Sequence, residues 1–160
     1  MNEFSFLAQW QDRTLLELRP GSETVLASGV AYQPLTHALC ALGHNGTILL
    51  VHNVVKQQWE LPGGIVKPGE SAGETALREL FEESCQRPLE MWFRGLICYS
   101  KGPQRETEYG ALYCGCLSQL FPFKPNHEVD KIRWWSPREL LTGLNPIDAA
   151  LAQCFGPESQ

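Results

Sequence analysis

The sequence predicts a mixed α/β domain built on a largely mixed or antiparallel sheet. Three observations predict it. Apolar strand-like runs recur along the chain, Asn45-Gly46 gives a strong hairpin signal between two of them, and three segments carry helix-start signals. The 160 residues suit one compact core, so residues 1–160 are read as one domain, with residues 1–34 as an N-terminal strand extension.

Taken in order, Phe4 to Trp10 and Thr14 to Leu18 read as two strands joined around Gln11-Asp12-Arg13. Leu35 to Leu42 and Thr47 to His52 are apolar strands on either side of the Asn-Gly turn. Ser71-Ala72-Gly73-Glu74 has the form of a capping box ahead of a helix-forming run, which Pro88 stops. Glu90 to Ser100 and Glu108 to Leu117 are two longer strands, separated by a polar segment containing Gly102-Pro103. Ile132 to Trp135 is a further short strand. Ser136-Pro137-Arg138-Glu139 signals a second helix with Pro in its first turn, and Asn145-Pro146-Ile147-Asp148 opens a last helix through Phe155.

Composition narrows the function. Hydrophobic residues make up 43% and charged residues 19% of the chain, as in ordinary globular proteins. No apolar stretch is long enough to cross a bilayer and no signal peptide is evident, so a cytoplasmic protein is expected. The net charge of −5 argues against general binding of a nucleic-acid backbone. None of the six cysteines forms a C-x-x-C pair; they are read as buried, reduced residues. A phosphorylated substrate would need local neutralisation, which a divalent metal held by carboxylates supplies.

The segment with chemical content is WELPGGIVKPGESAGETALRELFEESC, Trp59 to Cys85. A Gly-rich loop leads into a capped helix loaded with carboxylates. At about 100° per residue, Glu83 falls about 40° from Glu79, and Glu82 about 60° to the other side. Leu77, Leu80, Phe81 and Ser84 occupy the opposite face. Like charges clustered on a helix cost free energy. A solvated acidic face is the ordinary explanation; a bound cation is the functional one. Oxygen ligands alone suit Mg²⁺ or Mn²⁺ better than zinc.

Gly64, five residues, Glu70, seven residues, then Arg78-Glu79-Leu80-Phe81-Glu82-Glu83 resembles the signature of the Nudix, or MutT-like, hydrolases. Every charged position matches at the required spacing, and the order of elements resembles a Nudix domain over nearly the whole chain. Two positions depart: Cys85 stands where the signature has glycine, and Gln86 where it has an aliphatic residue.

The resemblance implies a mixed sheet sandwiched between helices and a Mg²⁺-dependent enzyme, with Mn²⁺ as the other candidate metal. That enzyme would cleave the diphosphate linkage of a nucleoside diphosphate derivative, with nucleoside triphosphates or modified nucleotides as first candidates. It implies that Glu79, Glu82 and Glu83, with the carbonyl of Gly63, hold the metal. Glu79 is either a further ligand or the base that positions water. Arg78 and Glu70 brace the loop at Gly64 against the helix. Glu128, in a polar loop before a late strand, is a candidate ligand or general base, with Glu106 and Glu108 as its rivals. Trp134 and Trp135 face opposite ways; one belongs to the core, and Trp135 is the candidate for stacking on a base. His52 and His127 read as structural or surface residues. The alternatives are a Nudix domain that binds a nucleotide as a non-catalytic sensor, and a plain acidic metal-binding protein. No nucleic-acid or membrane partner is expected, and the N-terminal strands offer a homodimer contact.

Overall fold

The computed structural model describes residues 4–27 and 32–156; the rest of the 1–34 extension and residues 157–160 lie outside the described residues. The path of the sheet is β1 (Phe4–Trp10), β2 (Arg13–Arg19), β7 (Glu90–Lys101), β8 (Glu106–Cys116), β3 (Leu35–His44), β4 (Thr47–Asn53) and β5 (Gln58–Glu60). Off this path, β6 (Gly63–Ile65) pairs with β3, and β9 (Val129–Trp135) pairs with β4. Neighbours run antiparallel except β3 and β8, which are parallel, so the sheet is mixed as expected. Through the pairing of β2 with β7, the N-terminal hairpin is built into the sheet.

The predicted hairpin at Asn45-Gly46 forms, with φ of 49° and 78° at its two central residues. Two positive φ values give the turn the twist that the flanking strands need.

One helix covers each face of the sheet. Ala72, Ala76 and Leu80 of α1 (Ala72–Ser84) pack in two clusters with Ala38, Cys40, Leu42, Leu96 and Ala111. Ile147, Leu151 and Ala152 of α2 (Pro146–Ala152) pack with Ala41, Ile97, Leu112 and Cys114. Residues 40–42, 96–99 and 111–114 are therefore buried on both faces, and their sequences read as continuous apolar runs instead of alternating ones. All six cysteines are free. No described helix is long and apolar enough to cross a membrane.

The helix expected at Ser136 does not form. The cap itself is present, since the Ser136 hydroxyl accepts from Arg138 N–H at 3.4 Å and the Glu139 carboxylate accepts from Ser136 N–H at 3.3 Å. The turn is not propagated, because the Glu139 carbonyl accepts the Trp135 indole N–H at 3.1 Å and Leu140 has no packing surface. A cap without an apolar face to bury does not sustain a helix. The three-residue strands β5 and β6 and a 3₁₀ turn over Glu23–Ala27 were not legible in the sequence pattern.

Candidate active site

The glycine pair meets the carboxylate helix by close backbone approach. β6 pairs with β3 (Gly64 opposite Ala38, Gly63 opposite Leu39), which lays the loop against the C-terminal half of α1, at Glu79 and Glu83. A Cβ on Gly64 would lie 2.5 Å from the Glu79 carboxyl carbon, and one on Gly63 would lie 2.5 Å from the Ala38 carbonyl oxygen. Gly63 is required by the sheet backbone, whereas a side chain at Gly64 would push the Glu79 carboxylate out of its place. The Gly63 N–H donates to Glu83 Oε1 at 2.8 Å.

Ser71 caps the helix, its hydroxyl accepting from Glu74 N–H at 3.1 Å. Arg78 then ties loop to helix. Its Nε and Nη2 donate to the two oxygens of Glu70 at 2.7 and 2.9 Å, and its Nη1 donates to Glu79 at 2.7 Å and Glu82 at 3.2 Å. Thr75 adds a hydroxyl to Glu70 at 2.6 Å. Two-pronged pairing fixes the guanidinium plane. The Arg78 contact, then Thr75, holds the Glu70 carboxyl down to about 2, and Glu70 in turn raises the Arg78 pKa. The pair therefore stays ionised through any physiological pH.

The three helix acids share a face but not an environment. Glu82 is exposed, Glu79 is mostly covered, and Glu83 is 5% exposed. Burial pushes the Glu83 carboxyl up to about 9; the Gly63 N–H opposes this, while Glu79, Glu60 and Glu128 add to it. Burial also raises Glu79, against Arg78, with Glu82 and Glu128 contributing. Among the described residues, no three metal-ligating side chains converge on one point; the acids take protein N–H donors instead. A buried carboxyl with one backbone donor and three acidic neighbours fits a hard cation, which would supply the missing positive charge with all-oxygen ligation.

A family model described as NUDIX domain matches residues 33–154. The chain belongs to the Nudix family. It is 30% identical over 111 residues to the human "Nucleoside diphosphate-linked moiety X motif 6", a match covering 63% of this chain and 33% of that protein. The chain thus spans about a third of the length of that relative. It is 26% identical over 130 residues to phosphatase NudJ of Escherichia coli K12, covering 78% of this chain and 84% of that one. Among solved structures, a Bacillus subtilis pyrophosphohydrolase superposes with a TM-score of 0.66 at 21% identity, over 96% of this chain and 93% of that one.

The structure brings together Gly64, Glu70, Arg78, Glu79, Glu82 and Glu83 of the Nudix signature, with Gly63 just before it. Glu128 is exposed, and its charge reaches both Glu79 and Glu83. Its rivals stand elsewhere. Glu106 is exposed at the start of β8, and Glu108 is buried against Arg13 and Thr36. Trp135 does not stack on a base: it is 3% exposed, packs in the core with Ile48 and Leu50, and spends its indole N–H on Glu139. Trp134 is partly buried, against His44. His52 is held by Asp130 at 2.7 Å, and His127 is exposed.

Both departures from the signature have a structural account. Cys85 caps α1 in the left-handed region, φ 62° and ψ 9°, with its N–H on Phe81 O. A Cβ there costs roughly 1–2 kcal/mol. Cys85→Gly is therefore expected to raise the melting midpoint or leave it unchanged; a clear drop would show that the side chain packs well enough to outweigh the strain. Gln86, 1% exposed, clamps the backbone of Phe121: Nε2 donates to its carbonyl at 2.7 Å, and Oε1 accepts its N–H at 3.0 Å. Gln86→Leu restores the aliphatic residue but orphans both groups, so a loss of roughly 1–3 kcal/mol is expected in denaturant unfolding. Unchanged stability would mean that water replaces the clamp.

A cavity of about 240 Å³ adjoins Gly63 and Gly64. It takes residues from distant parts of the chain, among them Trp10, Arg13, His37, Glu60, Tyr99 and Asp148. None of these was singled out by the sequence. They carry no motif, and only the pairing of the strands assembles them.

Proposed function

We propose that this Nudix domain hydrolyses the P–O–P linkage of a nucleoside diphosphate derivative in a Mg²⁺-dependent reaction, with nucleoside triphosphates or modified nucleotides as its substrates. One observation carries the reading: a buried and an exposed carboxylate, Glu83 and Glu82, flank Glu79 beside a glycine pair that brings backbone to the same face. Glu79, Glu82, Glu83 and the Gly63 carbonyl would hold the metal, with Mn²⁺ able to replace Mg²⁺. The ion would supply Lewis-acid neutralisation of the phosphate oxygens.

The chain's own residues do the rest. Arg78 fixes Glu79 and ties loop to helix through Glu70. Gly64 lets the loop close on Glu79 without a side chain between them. Glu128, unfixed to the helix, accepts the proton of the attacking water. The names of the human and Bacillus relatives support the linkage class. A net charge of −5 disfavours a nucleic-acid substrate, and six free cysteines suit the cytoplasm.

The test is a panel of nucleoside triphosphates, ADP-ribose and nucleoside monophosphates with Mg²⁺, reading released phosphate and pyrophosphate and, for ADP-ribose, the AMP formed. Cleavage of a P–O–P bridge is expected. Dephosphorylation of monophosphates with every diphosphate ignored would overturn the reading.

A further inference from the structure

The cavity beside the glycine pair is partly built by residues outside the family-matched stretch 33–154: Trp10 and Arg13 come from the N-terminal hairpin. Arg13 stands opposite Lys101 at the start of β2 and reaches across the neighbouring strand. Its guanidinium carbon lies 5.6 Å from the Tyr99 ring centroid, and its Nη2 donates to Glu108 Oε1 of β8 at 3.1 Å. Thr36 of β3 donates to the same Glu108 oxygen. Glu108 thereby anchors Arg13 across three strands, with its own side chain 9% exposed.

The anchorage is single-pronged. A brace of the Arg78–Glu70 kind would use both carboxylate oxygens, yet Glu108 Oε2 is buried without a hydrogen-bond partner. Only one of the five guanidinium N–H donors is needed for the Glu108 contact, leaving others for the cavity that Arg13 lines. Glu60 and Asp148 line the same cavity; Asp148 accepts the Leu61 N–H at 2.9 Å through one oxygen only. The remaining lining includes Trp10, Leu39 and Tyr99. Lys56 and His37 line it as well, but Lys56 faces Glu60 at 3.6 Å and Arg13 faces Glu108 at 3.1 Å, so with both long cations paired to acids and Asp148 beside them a bare phosphate is disfavoured. Aromatic and aliphatic walls with a donor fork and carboxyl acceptors suit a flat ring whose edge carries a carbonyl beside an N–H.

We infer that the N-terminal hairpin sets substrate specificity: Arg13, positioned by Glu108, donates to the ring carbonyl of a lactam-type nucleobase lodged in this cavity, while a carboxyl lining it accepts the adjacent ring N–H. The inference rests on the nucleotide reading above and names the end of the substrate distant from the phosphates.

Inosine and adenosine 5′-monophosphates differ at the relevant edge, and neither has a P–O–P bridge, so their binding is read by calorimetry without turnover. The wild-type protein should bind inosine monophosphate roughly tenfold or more tightly than adenosine monophosphate, as expected for a two-pronged edge contact. Arg13→Met should bring the ratio to about one while ribose 5-phosphate binding stays unchanged. Arg13→Lys, which keeps the charge without the fork, should lose the ratio as well and serves if the methionine variant does not fold. Glu108→Gln should narrow the ratio, a change that loss of stability alone would not produce. Equal or absent binding of the two nucleotides to the wild type, or a ratio retained in both Arg13 variants, overturns the inference. So does parallel loss of ribose 5-phosphate binding, which would make Arg13 a phosphate contact. Hydrolysis of P–O–P bridges without the base preference defeats this inference alone; the preference without hydrolysis defeats the catalytic reading alone.

Discussion

Glu83→Gln is expected to lower kcat by about a thousandfold while leaving the fold intact. Metal-assisted charge neutralisation supplies several kcal/mol at the transition state, and each 1.4 kcal/mol or so is tenfold in rate. The glutamine keeps an acceptor for the Gly63 N–H at the position of Oε1, so the loop–helix contact survives. It also removes a carboxyl that burial disfavours in its ionised form, so the metal-free protein should melt no lower than wild type. A second readout separates ligand loss from misfolding. Millimolar Mg²⁺ should raise the melting midpoint of the wild type by binding only the folded state, and raise that of the variant much less. Wild-type turnover together with an undiminished Mg²⁺ shift would remove Glu83 from the ligand set. Glu82→Gln should show the same loss of turnover. Its side chain is 55% exposed and its one contact with Arg78 is a surface pair, so its effect on stability should be near zero.

How much of this site was legible beforehand depends on how local the cause is. The acid face of α1 follows from a 3.6-residue period and the Ser71 cap from an adjacent pattern, so both could be read from the chain. The burial of Glu83 could not. On a helical wheel it belongs to the polar face, and it is buried because β6, twenty residues upstream, is paired to β3 and laid over that face. Trp135 fails for a related reason: a two-residue alternation shows that Trp134 and Trp135 part company but not which side is core. In the structure α2 covers the Trp135 side. The Ser136 cap shows a local rule outvoted, since the capping bonds form and the helix does not. Arg13 lies at the far end of the scale. Its position at a hairpin turn carries no chemical signal until β7 and β8 bring Tyr99 and Glu108 beneath it.

Glu128→Gln should cost roughly 10²–10⁴ in kcat with a much smaller change in substrate affinity, as expected for a general base that the ground state does not need. The loop that carries it is held at three points. The Asn126 amide donates to Glu82 O at 3.3 Å, its oxygen accepts Glu128 and Val129 N–H at 3.0 and 2.9 Å, and the Glu128 carbonyl accepts Val54 N–H at 2.9 Å. The backbone is thus tethered to the end of α1 and to Val54 just past β4, while the side chain keeps 58% of its surface and takes no hydrogen bond from a described residue, His127 Nε2 standing 3.7 Å away. That combination lets a carboxylate move over the helix acids without dragging its loop. Its negative charge already contributes to raising Glu79 and Glu83, which places it within electrostatic reach of both. Glu108, by contrast, is anchored to Arg13 and Thr36, and freeing it would break a contact spanning three strands. Steady-state kinetics of Glu128→Gln beside Glu106→Gln and Glu108→Gln decide the matter. Loss of kcat in Glu128→Gln alone, with KM nearly unchanged, supports the base. If Glu128→Gln keeps full kcat while either rival loses it, the proton is taken from the β8 side of the sheet. The loop at Asn126 would then only seal the end of the helix.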